Sequence, residues 1–504
     1  MNLLFDALVA PLERRSRGVL QRSDGSEISG SELFHLSGQI SYTLKNSGVV
    51  PDDRVAIQTE KSLEALALYL ACLRVGALFV PLNMAYTASE LEYFLTDAEP
   101  KMLICAPRRE AELKKLCRSR KITLMTLGDT QDGSLIEVAR QTFGVCAVVD
   151  RNANDLAAIL YTSGTTGRSK GAMLSHENLL SNTDSLVNAW RFTSEDTLLH
   201  ALPIFHAHGL FVAVHVLLRV QGRMIFLPKF DVDLVIDKLP YATTFMGVPT
   251  YYTRLLTHTK LNKEYLAHMR LFISGSAPLL AETHQAFEAK TGHRILERYG
   301  MTETIMNTSN PYEGERRAGT VGFALPNIEL RIVSLETGES LPEHEIGQLE
   351  VRGPNVFQGY WRMPGKTSDE FCDDGFFMTG DIAKKDSDGY ITIVGRSKDL
   401  VISGGYNVYP KEIESEINAL DGISESAVFG VPHRDFGEAV IAVVVVQQDF
   451  QVDHRALIEQ LQKRLAGYKC PKRMFTMDTL PRNTMGKVQK NVLKQRFKTT
   501  FTKQ

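Results

Sequence analysis

One short stretch of the chain, residues 161–171, is crowded with glycines and small hydroxyl side chains. It reads Tyr-Thr-Ser-Gly-Thr-Thr-Gly-Arg-Ser-Lys-Gly. Glycines let a main chain approach a ligand closely and adopt left-handed conformations, so several backbone N–H groups can converge on one oxyanion. The hydroxyls of Ser163, Thr165 and Thr166 add donors, and Lys170 adds a positive charge. The stretch therefore predicts a loop that binds phosphate.

This loop differs from the P-loop of the common nucleotide hydrolases. The P-loop pattern places its lysine directly after a glycine, whereas Arg168 and Ser169 separate Gly167 from Lys170 here. An apolar run precedes the loop, and a helix-like run begins near Ser175. We therefore expect the loop to lie where a strand hands over to a helix. A Ser/Thr/Gly-rich surface turn is the alternative interpretation.

A second group of reactive side chains lies in residues 297–304, Glu-Arg-Tyr-Gly-Met-Thr-Glu-Thr. Tyr299 offers an aromatic face for a purine, and Thr302 offers a hydroxyl for a phosphate. Glu303 offers a carboxylate for Mg²⁺, which prefers oxygen ligands and usually shares them with substrate phosphates. The segment predicts a nucleotide site, and a polar loop with a solvated glutamate is the alternative.

Three further segments carry weaker signals. Residues 275–278 follow an apolar, strand-like run, at the kind of strand-to-loop edge where open α/β sheets bind ligands. Asp381 follows a tight Thr-Gly turn, and its carboxylate could accept both hydroxyls of a ribose. Lys487 closes a glycine-bearing loop near the C-terminus. In isolation, Asp381 could be a surface turn residue and Lys487 a solvated charge.

Together these motifs resemble those of the acyl-adenylate-forming superfamily of AMP-forming acyl-CoA synthetases, luciferases and carrier-loading adenylation domains. The resemblance covers roughly residues 20–495. It implies an acid–thiol ligase that uses ATP and CoA as co-substrates and Mg²⁺ as cofactor. The ATP-binding residues that it implies are Thr162, Ser163, Gly164, Thr165, Thr166, Gly167, Lys170, Gly275, Ser276, Ala277, Tyr299, Gly300, Met301, Thr302, Asp381, Arg396 and Lys487.

The resemblance also implies individual roles within the first motifs. Tyr299 would stack near adenine, Thr302 would bind the α-phosphate, and Glu303 would ligate Mg²⁺. Asp381 would hold the ribose, and Arg396 would contact ribose or phosphate. Of these residues, Thr302 and Glu303 are expected to take part in catalysis.

The C-terminal motifs imply a second set of roles. Lys487 would bridge the carboxylate and the α-phosphate while charge accumulates between them, which typically accelerates a reaction by orders of magnitude. Lys398 matches the hinge about which the small domain rotates between the two half-reactions. In the rotated state, a pantetheine channel would be lined by Gly404, Gly405 and Tyr406. Such closure both excludes water and assembles a second site.

Arg298 is the most informative difference between this sequence and the family pattern. In many relatives that activate fatty or aromatic acids, a small residue occupies this position, just before the motif tyrosine. An unpaired buried arginine is costly, and arginine pairs with carboxylates bidentately, so we expect the substrate to bring a second carboxylate. Neutralisation of Arg298 by Glu297 is the alternative. His206 is expected to contact the substrate carboxylate, and His208 could add a further donor.

Residues 203–210 and 297–304 together are similar to malonyl-CoA synthetases. The resemblance thus implies that malonate is ligated to CoA through an acyl-adenylate, with release of AMP and pyrophosphate. Methylmalonate is the expected close analogue, since one methyl group shifts binding only modestly in an apolar pocket. Another short- or medium-chain acyl-CoA synthetase, a carrier-loading adenylation enzyme and a non-catalytic nucleotide-binding protein remain alternatives.

The elements that must position these motifs alternate between strand-like and helix-like runs, as in residues 54–82 and 198–227. This alternation predicts an α/β fold. A chain of 504 residues is too long for one core. We expect a large N-terminal domain, residues 1–397, with mixed α/β sheets and a β subdomain. A small, mobile α+β domain should follow at residues 398–504.

Composition narrows the class of protein further. With 43% hydrophobic and 23% charged residues and a net charge of -2, the chain has no basic surplus that would indicate nucleic acid. No apolar run approaches the ~18 residues of a membrane span. Six scattered cysteines without a C-x-x-C pair are typical of reduced thiols. We expect a cytoplasmic monomer or weak homo-oligomer whose partners are small molecules: malonate, ATP and CoA.

Overall fold

The structure, a computed structural model, describes residues 1–142, 144–162, 169–404, 406–448, 450–483 and 486–501. Its backbone contacts divide the chain into two compact units. The first unit comprises Met1–Ala318, Gly322–Glu329 and Arg352–Gly375, and the second comprises Gly319–Val321, Leu330–Val351 and Phe376–Gln504. Most of the predicted β subdomain thus groups with the C-terminal part of the chain. The division into residues 1–397 and 398–504 stays a prediction.

In the first unit, six described strands form sheet I. Five of them are parallel, and the sixth pairs antiparallel with the strand that precedes it in the chain. Parallel strands covered on both faces read as continuous apolar runs, and two strands of this sheet are buried along their whole length. In spatial order the strands are Thr123–Thr126, Met102–Cys105, Arg54–Gln58, Leu78–Pro81, Leu156–Thr162 and Lys170–Ser175.

Several helices that alternate with these strands begin at side-chain caps. Ser29, Ser62, Thr87 and Ser175 each accept a hydrogen bond from the backbone N–H three residues further on. Such caps satisfy N–H groups that the first helical turn leaves unpaired. The α-helices of this part of the chain are Gly30–Asn46, Leu63–Val75, Ala88–Ala98, Glu110–Ser119, Ser134–Arg140 and His176–Trp190.

The first unit also contains sheet II, formed by nine described strands with a parallel centre. In spatial order they are Phe323–Ala324, Thr308–Ser309, Leu296–Tyr299, Leu271–Ser274, Thr244–Gly247, Thr197–His200, Arg223–Phe226, Gly18–Gln21 and Glu27–Ser29. A buried aromatic cluster packs against this sheet, with Phe272 lying edge-on to Phe287 at 5.0 Å between ring centroids. The helices here are the π-helix His208–Val214 and the α-helices His215–Val220, Val232–Lys238, Pro249–Leu256 and Ala281–Thr291.

The second unit contains two antiparallel-rich sheets. Sheet III consists of Glu329–Val333, Gly347–Arg352, Phe377–Lys385 and Ile391–Arg396. Sheet IV consists of Tyr406–Val408, Val401–Ser403, Gly437–Val446, Ile423–His433 and Arg473–Thr476. Its faces bury two apolar clusters beneath the helices Pro410–Asn418, His454–Gln462 and Lys490–Phe497.

The predicted α/β class is confirmed, and strands and helices alternate in residues 54–82 and 198–227 as predicted. One local prediction is wrong. The glycine-rich loop does not lead from a strand into a helix, because the strand Lys170–Ser175 intervenes and pairs antiparallel with Leu156–Thr162. The loop therefore connects two neighbouring strands, and the helix begins only at His176.

Candidate active site

The two ends of the predicted phosphate loop lie side by side at the end of sheet I. Thr162 and Lys170 are paired across the two antiparallel strands, and both side chains are half-buried. The hydroxyl of Tyr93 donates to the Ser169 carbonyl at 2.6 Å and fixes the outgoing end. The loop residues between them that were predicted to bind ATP lie outside the described residues: Ser163, Gly164, Thr165, Thr166 and Gly167.

Lys170 faces a glutamate and a tyrosine from residues 358–371. Its ammonium lies 3.0 Å from Glu370 Oε1 and 3.8 Å from the centroid of the Tyr360 ring. Residues 358–361 reach this position because they pair with the strand Lys170–Ser175, with Ala172 opposite Tyr360. Burial alone would raise the pKa of Glu370, but hydrogen bonds from Tyr360, Lys170 and Lys366 outweigh it and lower that pKa. Lys170 is thus held by a carboxylate that stays ionised.

Tyr360 links this lysine to the predicted metal ligand. Its hydroxyl bridges Glu370 Oε2 at 2.6 Å and Glu303 Oε1 at 2.9 Å. Burial, and then the charge of Glu303, raise the pKa of Tyr360, so the hydroxyl stays protonated and donates. Glu303 is only 6% exposed. Lys170 and Glu303, which are distant in sequence, therefore belong to one hydrogen-bonded group.

The turn that carries Glu303 is held tightly by its backbone. A Cβ atom at Gly300 would lie 2.0 Å from the Ile305 carbonyl oxygen, so a side chain at residue 300 would not fit. Ile305 itself has a φ of 57°, a left-handed conformation that is strained for a β-branched residue. Met301 and Thr302, between them, are half-buried. The close packing explains why a glycine is needed in this motif.

Arg298 lies in the strand Leu296–Tyr299 and is only 3% exposed. Successive side chains of a strand point to opposite faces, and Glu297 accordingly accepts from the Leu279 N–H at 3.1 Å. No carboxylate of the described residues forms an ion pair with Arg298, and its Nε and Nη2 have no hydrogen-bond partner among them. Burial lowers the pKa of Arg298 to about 9, and Tyr252 and Glu297 offset this only in part. Glu297, the predicted alternative partner, acts on Arg298 through its charge but forms no direct ion pair with it among the described residues.

The guanidinium of Arg298 packs directly on the loop at residues 275–278, which includes the predicted ATP-binding residues Gly275, Ser276 and Ala277. A Cβ atom at Gly275 would lie 2.4 Å from Arg298 Cζ. The next residue, Ser276, has a φ of 70°, and Ser276 and Ala277 are half-buried. Two motifs that the sequence suggested separately are therefore in contact at the carboxyl end of sheet II.

We expect the substitution Gly275→Ala to displace the guanidinium, because the added methyl group would overlap it. Forcing one methylene-sized group into a packed site costs ~1–3 kcal/mol, so the melting temperature should fall by several degrees. Thermal unfolding of the purified chain measures this effect. Gly365→Ala is the matched control, because nothing lies within 4 Å of a Cβ atom there. An equal melting temperature for the two variants would contradict the contact.

His208, the histidine predicted as a possible further donor, has its ring against this loop. His208 Nδ1 lies 3.1 Å from Ser276 Oγ, and the residue is buried. Burial, and next the charge of Arg298, hold the pKa of His208 well below its ordinary value, so the ring is neutral. His206 is half-buried and packs on the Phe205 ring. Its contact with substrate stays a prediction.

In the second unit, the two predicted ribose contacts come together. Asp381 and Arg396 are opposite each other in neighbouring antiparallel strands, and Arg396 Nε lies 2.9 Å from Asp381 Oδ1. Asp381 is buried, and Thr379 Oγ1 accepts from its N–H. Lys398 follows two residues later, and burial and the charge of Arg396 lower its pKa to about 8.

The remaining predicted residues also lie in the second unit. Gly404 has a φ of 60°, and the half-exposed ring of Tyr406 stacks on Tyr468 at 4.6 Å. Gly405 lies outside the described residues. Lys487 is exposed, and its backbone N–H donates to Asn483 Oδ1 at 2.9 Å. The roles of these residues stay predictions.

Two kinds of feature are absent from the part of the chain that the structure describes. No helix there is long and apolar enough to cross a lipid bilayer. Within the same residues, no group of three or more His, Cys, Asp and Glu side chains is arranged to hold a metal ion.

Comparison with known proteins identifies the family. Residues 10–361 match the AMP-binding enzyme family, and residues 412–487 match the AMP-binding enzyme C-terminal domain. The chain therefore belongs to the AMP-binding enzyme family. The predicted superfamily is confirmed, and with it the enzyme class, an AMP-forming acid–thiol ligase for which ATP and CoA are substrates.

Three similar proteins cover nearly the whole chain. A malonate–CoA ligase of Arabidopsis thaliana is 34% identical over 91% of this chain and 80% of its own. A long-chain-fatty-acid–CoA ligase of Bacillus subtilis is 32% identical over 92% and 89%. The crystal structure of ATP-bound MatB from Rhodopseudomonas palustris has a TM-score of 0.97 and 55% identity, covering 99% of each chain.

Proposed function

We propose that this enzyme ligates malonate to CoA, with ATP cleaved to AMP and pyrophosphate, and accepts methylmalonate as a second substrate. The observation that carries this proposal is the buried guanidinium of Arg298, whose Nε and Nη2 have no partner among the described residues. A ligand that brings a carboxylate to those two atoms would complete their hydrogen bonds bidentately. A monocarboxylate would leave them unmatched.

Malonate–CoA ligases of a plant and of two mammals are among the relatives, which supports malonate as the acid. The Arabidopsis relative acts on malonate and the Bacillus relative on long-chain fatty acids, at nearly equal identity to this chain. A polar pocket discriminates strongly against an analogue that lacks its partner group, whereas an apolar pocket discriminates weakly between chain lengths. The buried charge of Arg298 therefore supports a diacid, and its contact with the loop at Gly275 supports a short one.

In the proposed first half-reaction, one malonate carboxylate oxygen attacks the α-phosphorus of ATP. A bond forms between that oxygen and phosphorus, the bond to the β-phosphate oxygen breaks, and pyrophosphate leaves with the electron pair. Thr302 would donate to the α-phosphate, and Lys170 would contact the outer phosphates. Lys487 would offset the charge that builds up between carboxylate and phosphate.

The carboxylate of Glu303 fits a role as a Mg²⁺ ligand. It is buried, it is oriented by the Tyr360 hydroxyl, and Mg²⁺ is usually held by one or two carboxylates together with substrate phosphates. When bound there, Mg²⁺ would neutralise part of the phosphate charge. The protein's own contribution would be to orient Glu303, whose Oε1 lies 2.9 Å from the Tyr360 hydroxyl.

In the proposed second half-reaction, the CoA thiolate attacks the acyl carbon of malonyl-adenylate, the carbon–oxygen bond to phosphate breaks, and AMP leaves. Lys398 would serve as the hinge for a rotation of the C-terminal domain. Gly404, Gly405 and Tyr406 would line the path of the pantetheine arm. Asp381 and Arg396 would hold the ribose.

We expect Tyr360→Phe to weaken activation by Mg²⁺. The substitution keeps the ring against Lys170 but removes the hydroxyl that orients Glu303, and loss of such an outer contact typically costs ~10–100-fold in metal affinity. Titration of ATP–pyrophosphate exchange with Mg²⁺ measures the half-saturating concentration, which should rise at least tenfold. The matched control is Tyr265→Phe, whose lost hydroxyl donates, among the described residues, to the Ile236 carbonyl. An unchanged half-saturating concentration of Mg²⁺ would contradict the role of Tyr360 in orienting Glu303.

The proposed function is tested by ATP–pyrophosphate exchange over acetate, butyrate, octanoate, succinate, malonate and methylmalonate. Malonate should give the highest kcat/KM, and methylmalonate should follow within about a hundredfold. Acetate or octanoate exceeding malonate would contradict the proposal. Comparison of free CoA with a pantetheinylated carrier protein as acceptor separates a CoA ligase from a carrier-loading enzyme.

A further inference from the structure

A half-buried lysine and a buried histidine outside the predicted motifs form a pair between sheets I and II. Lys61 lies three residues after the strand Arg54–Gln58, and His200 ends the strand Thr197–His200. The Lys61 ammonium lies 2.7 Å from His200 Nδ1 and donates to the His200 carbonyl at 2.8 Å. It also lies 4.1 Å from the centroid of the Phe226 ring. No carboxylate oxygen of the described residues lies within 4.0 Å of this ammonium.

The contacts of His200 fix which of its nitrogens carries the proton. Its Nε2 lies 2.8 Å from the Gly209 carbonyl oxygen, which can only accept. Nε2 must therefore be the donor, and Nδ1 is left as the acceptor for the Lys61 ammonium. His200 is only 1% exposed, and burial and the charge of Lys61 hold its pKa well below the ordinary value. Burial lowers the pKa of Lys61 well below its ordinary value, and its nitrogen, charged or neutral, can donate both to Nδ1 and to the carbonyl of the neutral His200.

The carbonyl that His200 holds belongs to the segment that carries His208. Gly209 is the second residue of the π-helix His208–Val214, and π-helical turns occur frequently at functional sites. A Cβ atom at Gly209 would lie 2.0 Å from the Pro203 carbonyl oxygen, so the backbone there is closely packed. His208, one residue earlier, contacts Ser276 beside Arg298. A continuous chain of contacts therefore runs from Lys61 to the pocket of the proposed diacid.

We propose that Lys61 and His200 are positioning residues for the acid substrate, holding Gly209 so that His208 stays against Ser276 beside Arg298. The inference rests on the proposed function, because the pocket it serves is the acid pocket. Neither residue touches the reacting atoms. Lys61 donates to His200 Nδ1 and so favours the tautomer with the proton on Nε2. His200 Nε2 then donates to the Gly209 carbonyl and holds the backbone of the π-helical turn.

A purely structural role for the pair would have a different signature. If Lys61 and His200 only filled the space between the sheets, their loss would lower the melting temperature and reduce the amount of active enzyme. KM for ATP and KM for the acid would then change together or not at all. A positioning role changes KM for the acid alone, because the described contacts of the pair lead to residues 208–209.

The experiment compares full-length His200→Leu, His200→Gln and Lys61→Met in ATP–pyrophosphate exchange. Leucine removes both ring contacts, whereas the glutamine amide can donate to the Gly209 carbonyl and its oxygen can accept from Lys61. We expect His200→Leu to raise KM for malonate about tenfold, the size expected for one lost buried hydrogen bond, with KM for ATP within about twofold. In His200→Gln, KM for malonate should be close to the wild-type value. In Lys61→Met, it should lie between those of the leucine and glutamine variants.

His268→Leu is the matched control. The Nε2 atom of His268 also bonds a backbone carbonyl, that of Leu239, but neither residue belongs to residues 203–210 or 275–278. Equal changes in both KM values, no change in either, or a glutamine variant as impaired as the leucine variant would overturn the inference. If the leucine variant does not fold, the glutamine and methionine variants decide, by the change in KM for malonate relative to the change in KM for ATP. The wild-type acid panel tests the proposed function separately, and the ratio is measured with whichever acid the wild type prefers.

Discussion

Arg298→Leu is expected to lower kcat/KM for malonate by two to three orders of magnitude while leaving KM for ATP nearly unchanged. In the complex, the distal carboxylate of malonate would be buried opposite the guanidinium. Removing one partner of such a buried pair leaves an uncompensated charge and costs ~3–5 kcal/mol. The apolar pocket of the variant should instead accept butyrate better than the wild type does. Steady-state ATP–pyrophosphate exchange with both acids measures the change.

The same substitution should not destabilise the free enzyme. Replacing a buried charge that lacks an ionic partner by an apolar side chain is often neutral or stabilising, so the melting temperature should stay the same or rise. Arg294→Leu is the matched control, because Arg294 is exposed and pairs with Glu288 just before the same strand. A variant that keeps its preference for malonate, or loses activity towards all acids equally, would contradict the role of Arg298.

Lys487→Ala is expected to abolish adenylate formation almost completely while sparing the second half-reaction. A cation aimed at charge that develops in the transition state contributes ~10²–10³-fold or more, so malonate-dependent pyrophosphate exchange should fall by at least that factor. Supplied with chemically prepared malonyl-adenylate and CoA, the variant should form malonyl-CoA within a few-fold of the wild-type rate. The two assays on one preparation measure the two steps separately.

The control for this prediction is Lys498→Ala, which removes an exposed lysine just beyond the last helix. It should leave both half-reactions unchanged. Equal impairment of both half-reactions by Lys487→Ala would indicate loss of structure in the C-terminal unit. Retained exchange would show that another group supplies the charge.

Signals that are local in sequence predicted local structure well. The turn after Tyr299 needs a glycine because the chain folds back on the Ile305 carbonyl, and the motif carries that glycine at residue 300. A glycine in a motif thus indicates directly that the backbone there leaves no room for a side chain. The resemblance assigned Asp381 to the ribose and Arg396 to ribose or phosphate, and antiparallel pairing places the two residues opposite each other. Their contact with a ligand stays a prediction.

Contacts that depend on which strands become neighbours could not be predicted. Tyr360 reaches Glu303 and Lys170 only because residues 358–361 pair with the strand Lys170–Ser175. That strand itself was missed, because only three consecutive apolar residues, Ala172 to Leu174, mark it between the loop and the helix. Once it was missed, neither Tyr360 nor Glu370 could be assigned to the phosphate loop.

The histidines of residues 203–210 illustrate the same limit. His206 and His208 stand two residues apart, and their spacing does not tell which ring faces the loop at Ser276. The π-helical turn decides this, because it begins at His208 and its second carbonyl is held by His200. Neither the turn nor Lys61, the half-buried partner of His200, has a sequence signal of its own.

The most direct test of the diacid pocket is a crystal structure of the enzyme with malonyl-adenylate. We expect the free carboxylate of the malonyl group to lie within hydrogen-bonding distance, about 3 Å, of Arg298 Nε and Nη2. A free carboxylate turned towards solvent, or a guanidinium of Arg298 paired with a protein carboxylate while hydrocarbon side chains fill the pocket, would contradict the assignment.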